Sequence, residues 1–108
     1  MPEYNEKIAL TEAVYYILLS LFTPLHGYGI MQNVFKISNG RVNLAAGTLY
    51  GALTTLQEKG WIIALEEDES SRKKMYQITE MGKQVVDAEI TRLEELVRNG
   101  HEVVGRLA

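Results

Sequence analysis

Residues 45–65 read AAGTLYGALTTLQEKGWIIAL, a helical pattern that runs directly into a strand pattern. Apolar residues recur at the spacing of one helix face, so a helix is predicted over residues 46–59, with Gly60 ending it. The predicted inward stripe is Leu49, Ala52, Leu53 and Leu56. The apolar run at 61–65 then predicts a strand.

The opposite face of this helix is small and nearly uncharged in its first two turns. At 100° per residue this face holds Gly47, Gly51, Thr54 and Glu58, with Tyr50 and Thr55 on its flanks. A helix face in contact with solvent usually carries lysine and glutamate. A small, uncharged face suits close approach to another surface.

Two more helices are predicted upstream. Thr11 is predicted to cap the first helix, and residues 13–22 are apolar on nearly every side, so this helix must be covered all round. Residues 28–37 predict the second helix, whose apolar face is Ile30, Met31, Val34 and Ile37. Residues 41–44 are consistent with either a brief strand or an extended link.

A hairpin and a long helix are predicted downstream. Residues 66–71 form a polar turn, and residues 72–78 predict the returning strand. Thr79 is predicted to cap a fourth helix that begins near Glu80. A heptad seam then follows as Val86, Ile90, Leu93 and Val97, continued by Gly100, Val104 and Leu107. Whether the helix ends at Asn99-Gly100 is left open by the pattern.

Three helices, a hairpin and a final helix predict a mainly α fold with a small β-hairpin. This order is that of the winged helix-turn-helix, in which the third helix lies in the DNA major groove. The 108 residues suffice for a single domain, 1–108, with a winged-helix part at 8–79 and a dimerisation helix at 80–108. The first helix and the seam are too apolar for one copy to cover, which predicts a homodimer. A central core helix in a monomer is the alternative for the first helix.

Charge and composition narrow the functional classes. The net charge of −3 argues mildly against nucleic acid, but residues 26–83 hold seven cations and six acids, and four of those acids lie together at 66–69. The chain has no cysteine and two histidines, His26 and His101, so no enzyme, metal site or cofactor is expected. No signal peptide or membrane span is evident, and a cytoplasmic protein without a membrane partner is predicted.

Four stretches resemble the PadR family of bacterial transcriptional regulators. They are LTEAVYYILL at 10–19, PLHGYGI at 24–30, GTLYGAL at 47–53 and KKMYQITEMG at 73–82. The length resembles the short subgroup with a single C-terminal dimerisation helix. The resemblance implies a homodimeric repressor that binds a pseudo-palindromic operator in double-stranded DNA and is released by a small effector. It also implies that the last helix packs against the first helix of the partner subunit.

Candidate DNA-binding residues follow from this resemblance together with side-chain chemistry. They are Tyr28, Gly47, Thr48, Tyr50, Thr54, Arg72, Lys73 and Lys74. An uncapped helix start at residues 45–47 can hold a phosphate, and Thr54 can contact a base edge or a thymine methyl. Purely structural roles remain as alternatives. Tyr50 could pack on a neighbouring helix, Tyr28 could be buried under the hairpin, Thr48 could serve as a substitute cap, and the three cations could form a solvent-exposed edge. His26 is predicted to be a structural turn residue.

The interface and effector residues are assigned to the two apolar helices. The predicted dimer interface is Tyr15, Leu19, Val86, Ile90, Leu93, Val97 and Val104. A flat, apolar or aromatic effector is predicted to contact Tyr15, Tyr16, Leu19 and Val97, unless these residues simply pack the interface. The alternative function is a winged-helix module that binds protein and not DNA.

Overall fold

The protein is described by a computed structural model over residues 9–65 and 74–105. In chain order the elements are α1 (Glu12–Ser20), β1 (Leu25–His26), α2 (Gly27–Ile37), α3 (Ala46–Glu58), β2 (Ile62–Ala64), β3 (Met75–Ile78) and α4 (Glu80–Val104). The mainly α fold with a small antiparallel sheet is the predicted winged helix. None of the described helices is both long and apolar enough to span a membrane.

The sheet has three strands and not the two of the predicted hairpin. β1 pairs with β3, placing Leu25 opposite Tyr76, and the strand order is β1-β3-β2. The predicted hairpin is confirmed as β2 and β3, with Ile62 opposite Ile78, but β1 was missed because a two-residue strand is too short to show an alternating pattern. Residues 42–45 form no strand, so the extended link is the correct interpretation of that segment.

The inward stripe of α3 is confirmed. Leu49, Leu53 and Leu56 are buried in one core together with residues of α1, α2, the sheet and the start of α4. Ile37 was predicted to face this core, yet its side chain is 40% exposed. Its angular position on α2 is right, but the helix ends there and no further turn covers it.

α1 is held by both a cap and a buried polar contact. The Thr11 hydroxyl accepts a hydrogen bond from the Val14 N–H at 3.1 Å, which confirms the predicted cap. The Ser20 hydroxyl donates to the Tyr16 carbonyl at 2.8 Å and accepts from Asn33 Nδ2 at 2.9 Å. This contact joins α1 to α2. The apolar sequence pattern continues to residue 22, but the helix ends at Ser20 and the Phe22 side chain is exposed.

The direction of α4 is set where it leaves the sheet. The Thr79 hydroxyl accepts from the Gly82 N–H at 3.0 Å and donates to the Gly60 carbonyl at 2.7 Å. The Thr79 N–H donates to the Trp61 carbonyl at 3.0 Å. A Cβ on Gly82 would overlap this same carbonyl oxygen, so only glycine allows α4 to start so close to β2. α4 then continues through Gly100 to Val104, and the open question about residues 99–100 is answered.

Candidate nucleic-acid interface

The outer face of α3 carries small, exposed residues, as the sequence predicted. Ala45 at the N-cap offers no side-chain acceptor, so the first N–H groups of the helix lack a side-chain cap. A Cβ added to Gly47 or Gly51 would meet no atom within 4 Å. Thr48 and Thr54 are exposed on the same helix. The backbone of α3 can therefore come close to a surface laid against it.

Tyr50 links α3 to the start of α2. Its side chain is 47% exposed, yet the end of its ring lies against Gly27, where an added Cβ would be 2.7 Å from Tyr50 Cζ. The packing predicted for Tyr50 is therefore confirmed, and the DNA contact predicted for it stays a prediction that its exposed surface permits. The buried Gly27 provides the space that the tyrosine ring needs.

The first turn of α2 lies beside this tyrosine. His26 Nδ1 accepts a hydrogen bond from the Gly29 N–H at 3.3 Å and so caps α2, which agrees with the structural role predicted for His26. The Tyr28 side chain is 62% exposed, so the interpretation of Tyr28 as buried under the hairpin was wrong. Tyr28 and Tyr50 thus flank the same helix start.

Of the three predicted wing cations, one can be described. Lys74 is exposed and directly precedes β3. Arg72 and Lys73 lie outside the described residues, as do the acids at 66–69 and the predicted seam residue Leu107.

The seam of α4 divides into a buried and an exposed part. Val86 was predicted to lie in a dimer interface, but it is 3% exposed and belongs to the core of its own subunit. The first turns of α4 pack on α1 and the sheet, and this covers Val86. Beyond that point most apolar side chains are exposed, since Val97 is 58% exposed while Leu93 is half-buried. The other exposed apolar residues of this part are Ile90, Leu96, Val103 and Val104.

An open groove of about 600 Å³ runs along the exposed part of α4. Its apolar lining is Tyr15, Ile90, Leu93 and Val97, and its polar lining is Glu94, Arg98, His101 and Glu102. Of the predicted effector residues, Tyr15 and Val97 line this groove. Tyr16 and Leu19 do not line it and are half-buried against the core.

A buried carboxylate lies between α1 and α4, and sequence reasoning missed it. Glu89 is 4% exposed and accepts two hydrogen bonds from Arg92, at 2.7 and 2.8 Å, and one from the Leu10 N–H at 3.4 Å. The hydrogen bonds from Arg92 lower the pKa of Glu89, although burial opposes this. The pKa of Tyr15 is raised, first by burial and then by the charge of Glu89. The spacing of Glu89 and Arg92, three apart on a helix, was the available signal.

No described group of three or more histidines, aspartates or glutamates has the geometry of a metal site. Within residues 9–65 and 74–105, the exposed face of α3 and the groove of α4 each contain predicted site residues.

Known proteins share the sequence pattern and the fold of this chain. Residues 16–88 match the model of the Transcriptional regulator PadR-like family. A PadR family transcriptional regulator from Eggerthella lenta has a similar structure, with a TM-score of 0.65 and 21% identity over 88% of this chain and 82% of that one. Bacillus subtilis PadR, solved in complex with operator DNA, has a TM-score of 0.63 and 25% identity over 74% of this chain and 46% of that one.

One curated relative is an uncharacterized 37.1 kDa protein in transposon TN4556 of Streptomyces fradiae. It is 36% identical over 66 residues, which are 61% of this chain. The match spans only 18% of that relative's length.

Proposed function

Because this chain belongs to the PadR-like family of transcriptional regulators, we propose that it binds operator DNA as a homodimer. Family membership confirms the expectation of a regulator and not an enzyme. The winged-helix part, residues 8–79, makes the DNA contacts in this proposal, and the segment at 80–108, which begins with α4 (Glu80–Val104), makes the dimer. In this proposal the regulator acts in the cytoplasm, together with its operator DNA.

The observation that carries the DNA-binding proposal is the shallow, exposed face of α3. It combines an uncapped helix start with open space at Gly47 and Gly51. Thr48, Thr54 and Tyr50 are exposed on this helix, and Tyr28 is exposed beside it. Uncapped N–H groups suit a phosphate, and hydroxyls suit phosphates or base edges. Lys74 contacts a backbone phosphate in this proposal, and the neighbouring Arg72 and Lys73 add further positive charge for the DNA backbone. The similar Bacillus subtilis protein, solved in complex with operator DNA, supports DNA binding by this fold.

The dimer proposal is supported by the exposed apolar part of α4. An apolar stripe that continues beyond the core of its own subunit is costly in water, and a second copy of the same stripe covers it. Ile90, Leu93, Val97 and Val104 supply the seam in this proposal. Tyr15 of α1 lines the same groove, and Leu19 is the other α1 residue assigned to the interface. Two subunits related by a two-fold axis then bind a pseudo-palindromic operator with half-sites about 34 Å apart.

Effector control is assigned to the groove along α4. The apolar side chains of Tyr15 and Val97 suit a flat apolar or aromatic compound, whose binding changes the spacing of the two DNA-binding parts. A repressor released by such a compound is the form of regulation that we propose.

The test is selection of duplexes from a random-sequence DNA pool with the purified full chain. The expected result is enrichment of two-fold related half-sites about one helical turn apart, with a dissociation constant on the order of 10⁻⁸ M. Sedimentation of the same sample is expected to give a dimer at micromolar concentration. A pool that shows no enrichment contradicts DNA binding, and a stable folded monomer contradicts the dimer.

A protein-binding module is the second candidate, and one observation favours it. A groove of about 490 Å³ between α2 and the link to α3 is lined by Tyr28, Met31, Gln32, Phe35, Asn43 and Leu44. Its apolar members suit a partner protein. Failure of the DNA selection would favour this alternative.

A further inference from the structure

The exposed start of α3 lacks the side chains that recognise guanine. Guanine is most often specified by arginine or lysine, and adenine by asparagine or glutamine, through paired hydrogen bonds in the major groove. Residues 46–55 of α3 contain none of these four residue types. The N-terminal part of a recognition helix is the part that contacts base edges. Sequence recognition by α3 must therefore use another contact.

Thr54, in the third turn of α3, supplies a methyl group on the outer face of the helix. Its hydroxyl donates a hydrogen bond to the Tyr50 carbonyl at 3.1 Å, one helical turn back. The hydroxyl proton is therefore committed within the helix. The hydroxyl oxygen can still accept a hydrogen bond, whereas the γ-methyl is the group of this exposed side chain that can make an apolar contact with a base.

The two glycines allow such a short side chain to reach a base. A threonine methyl extends little from the helix, so contact with a base requires the helix backbone to come close to the groove floor. Gly47 and Gly51 share the outer face with Thr54, and nothing lies within 4 Å of the Cβ position of either. No side chain on these positions holds the helix away from the DNA.

We propose that α3 selects thymine in each half-site through contact between the Thr54 methyl and the thymine methyl. This inference rests on the proposed function and deepens it, since it names the base that the DNA-binding surface prefers. Apolar contact with the thymine methyl is an established way to distinguish T·A from the other base pairs.

The experiment uses duplexes enriched from the random pool, resynthesised with deoxyuridine in place of single thymines. Deoxyuridine pairs as thymine does but lacks the methyl group. Loss of one buried methyl is expected to weaken binding about fourfold, and the same change in both half-sites about sixteenfold. Thr54→Ser removes the protein methyl and keeps the hydroxyl, so it is expected to bring the thymine-to-deoxyuridine ratio close to one. Thr54→Val keeps the methyl and should keep the ratio.

Thr91→Ser is the matched control, because Thr91 is exposed on α4 and the chemical change is identical. It should retain the native ratio, and circular dichroism checks that each variant is folded. The inference is overturned if duplexes are enriched but the unmodified chain binds the thymine and deoxyuridine duplexes equally tightly. That result would leave the proposed function standing. The inference is also overturned if the Thr54→Ser variant prefers the thymine duplex over the deoxyuridine duplex as strongly as the unmodified chain does. A pool without enrichment contradicts the proposed function and this inference with it.

Discussion

Gly82→Ala is expected to destabilise the protein, although alanine is normally the better helix residue. In the solvent-exposed interior of a helix, replacing glycine with alanine would raise the free energy of unfolding by about 1 kcal/mol. At this position the new Cβ would overlap the Trp61 carbonyl oxygen and lie 2.6 Å from Ile78 Cγ1. The obstacle includes backbone, so it cannot be relieved by rotating a side chain.

The expected magnitude follows from three contributions. Overpacking costs about 1–3 kcal/mol. Displacing the Trp61 carbonyl also weakens its hydrogen bond from Thr79, which costs about 1 kcal/mol. The gain in helix propensity offsets about 1 kcal/mol. The net loss is about 1–3 kcal/mol in the free energy of unfolding, or a fall in Tm of about 5–20 °C for a chain of this size.

The assay is thermal and urea denaturation at one fixed protein concentration, so that dimerisation contributes equally to each variant. Gly51→Ala is the matched control, because it makes the same change in a helix where the Cβ meets nothing within 4 Å. It should raise stability by about 0.5–1 kcal/mol. If Gly82→Ala were as stable as Gly51→Ala, the reasoning about the junction of α4 with the sheet would be refuted.

Three further predictions concern other parts of the molecule. Gly27→Ala is expected to displace the Tyr50 ring and weaken operator binding as much as Tyr50→Ala does, with no added loss in the double variant; additive losses would contradict this coupling. Lys74→Ala should weaken binding and lower the slope of log affinity against log salt by about one, and an unchanged slope would remove Lys74 from the phosphate contacts. Glu89→Gln should cost about 1–2 kcal/mol at pH 7. Because the folded-state pKa of Glu89 is lowered, its contribution is present above the ordinary glutamate pKa and is lost as the pH falls through the folded value. Denaturation across pH 2–7 measures this loss, and a difference from the native chain that stays constant down to the lowest pH would contradict it.

Local patterns in the sequence were enough to predict the helices, the caps of α1 and α4, and the small residues on the outer face of α3. Thr11 and Thr79 cap α1 and α4 as expected, because an N-cap bond joins residues three apart. The inward stripe of α3 follows from the period of the helix, which neighbouring residues alone set. Glycines on the opposite face could be assigned by the same arithmetic.

Contacts between distant residues were beyond such patterns. β1 exists because Leu25 meets Tyr76 across the sheet, and the buried Glu89 accepts a hydrogen bond from the Leu10 N–H, 79 residues away in the sequence. Val86 and Val97 belong to one heptad pattern, yet the first lies in the core and the second in solvent. Periodicity gives the direction of a side chain around its helix, whereas burial depends on which other elements pack against that turn. For this protein, the amino-acid order sets the faces of its helices, and the folded arrangement sets how far along each face the core extends.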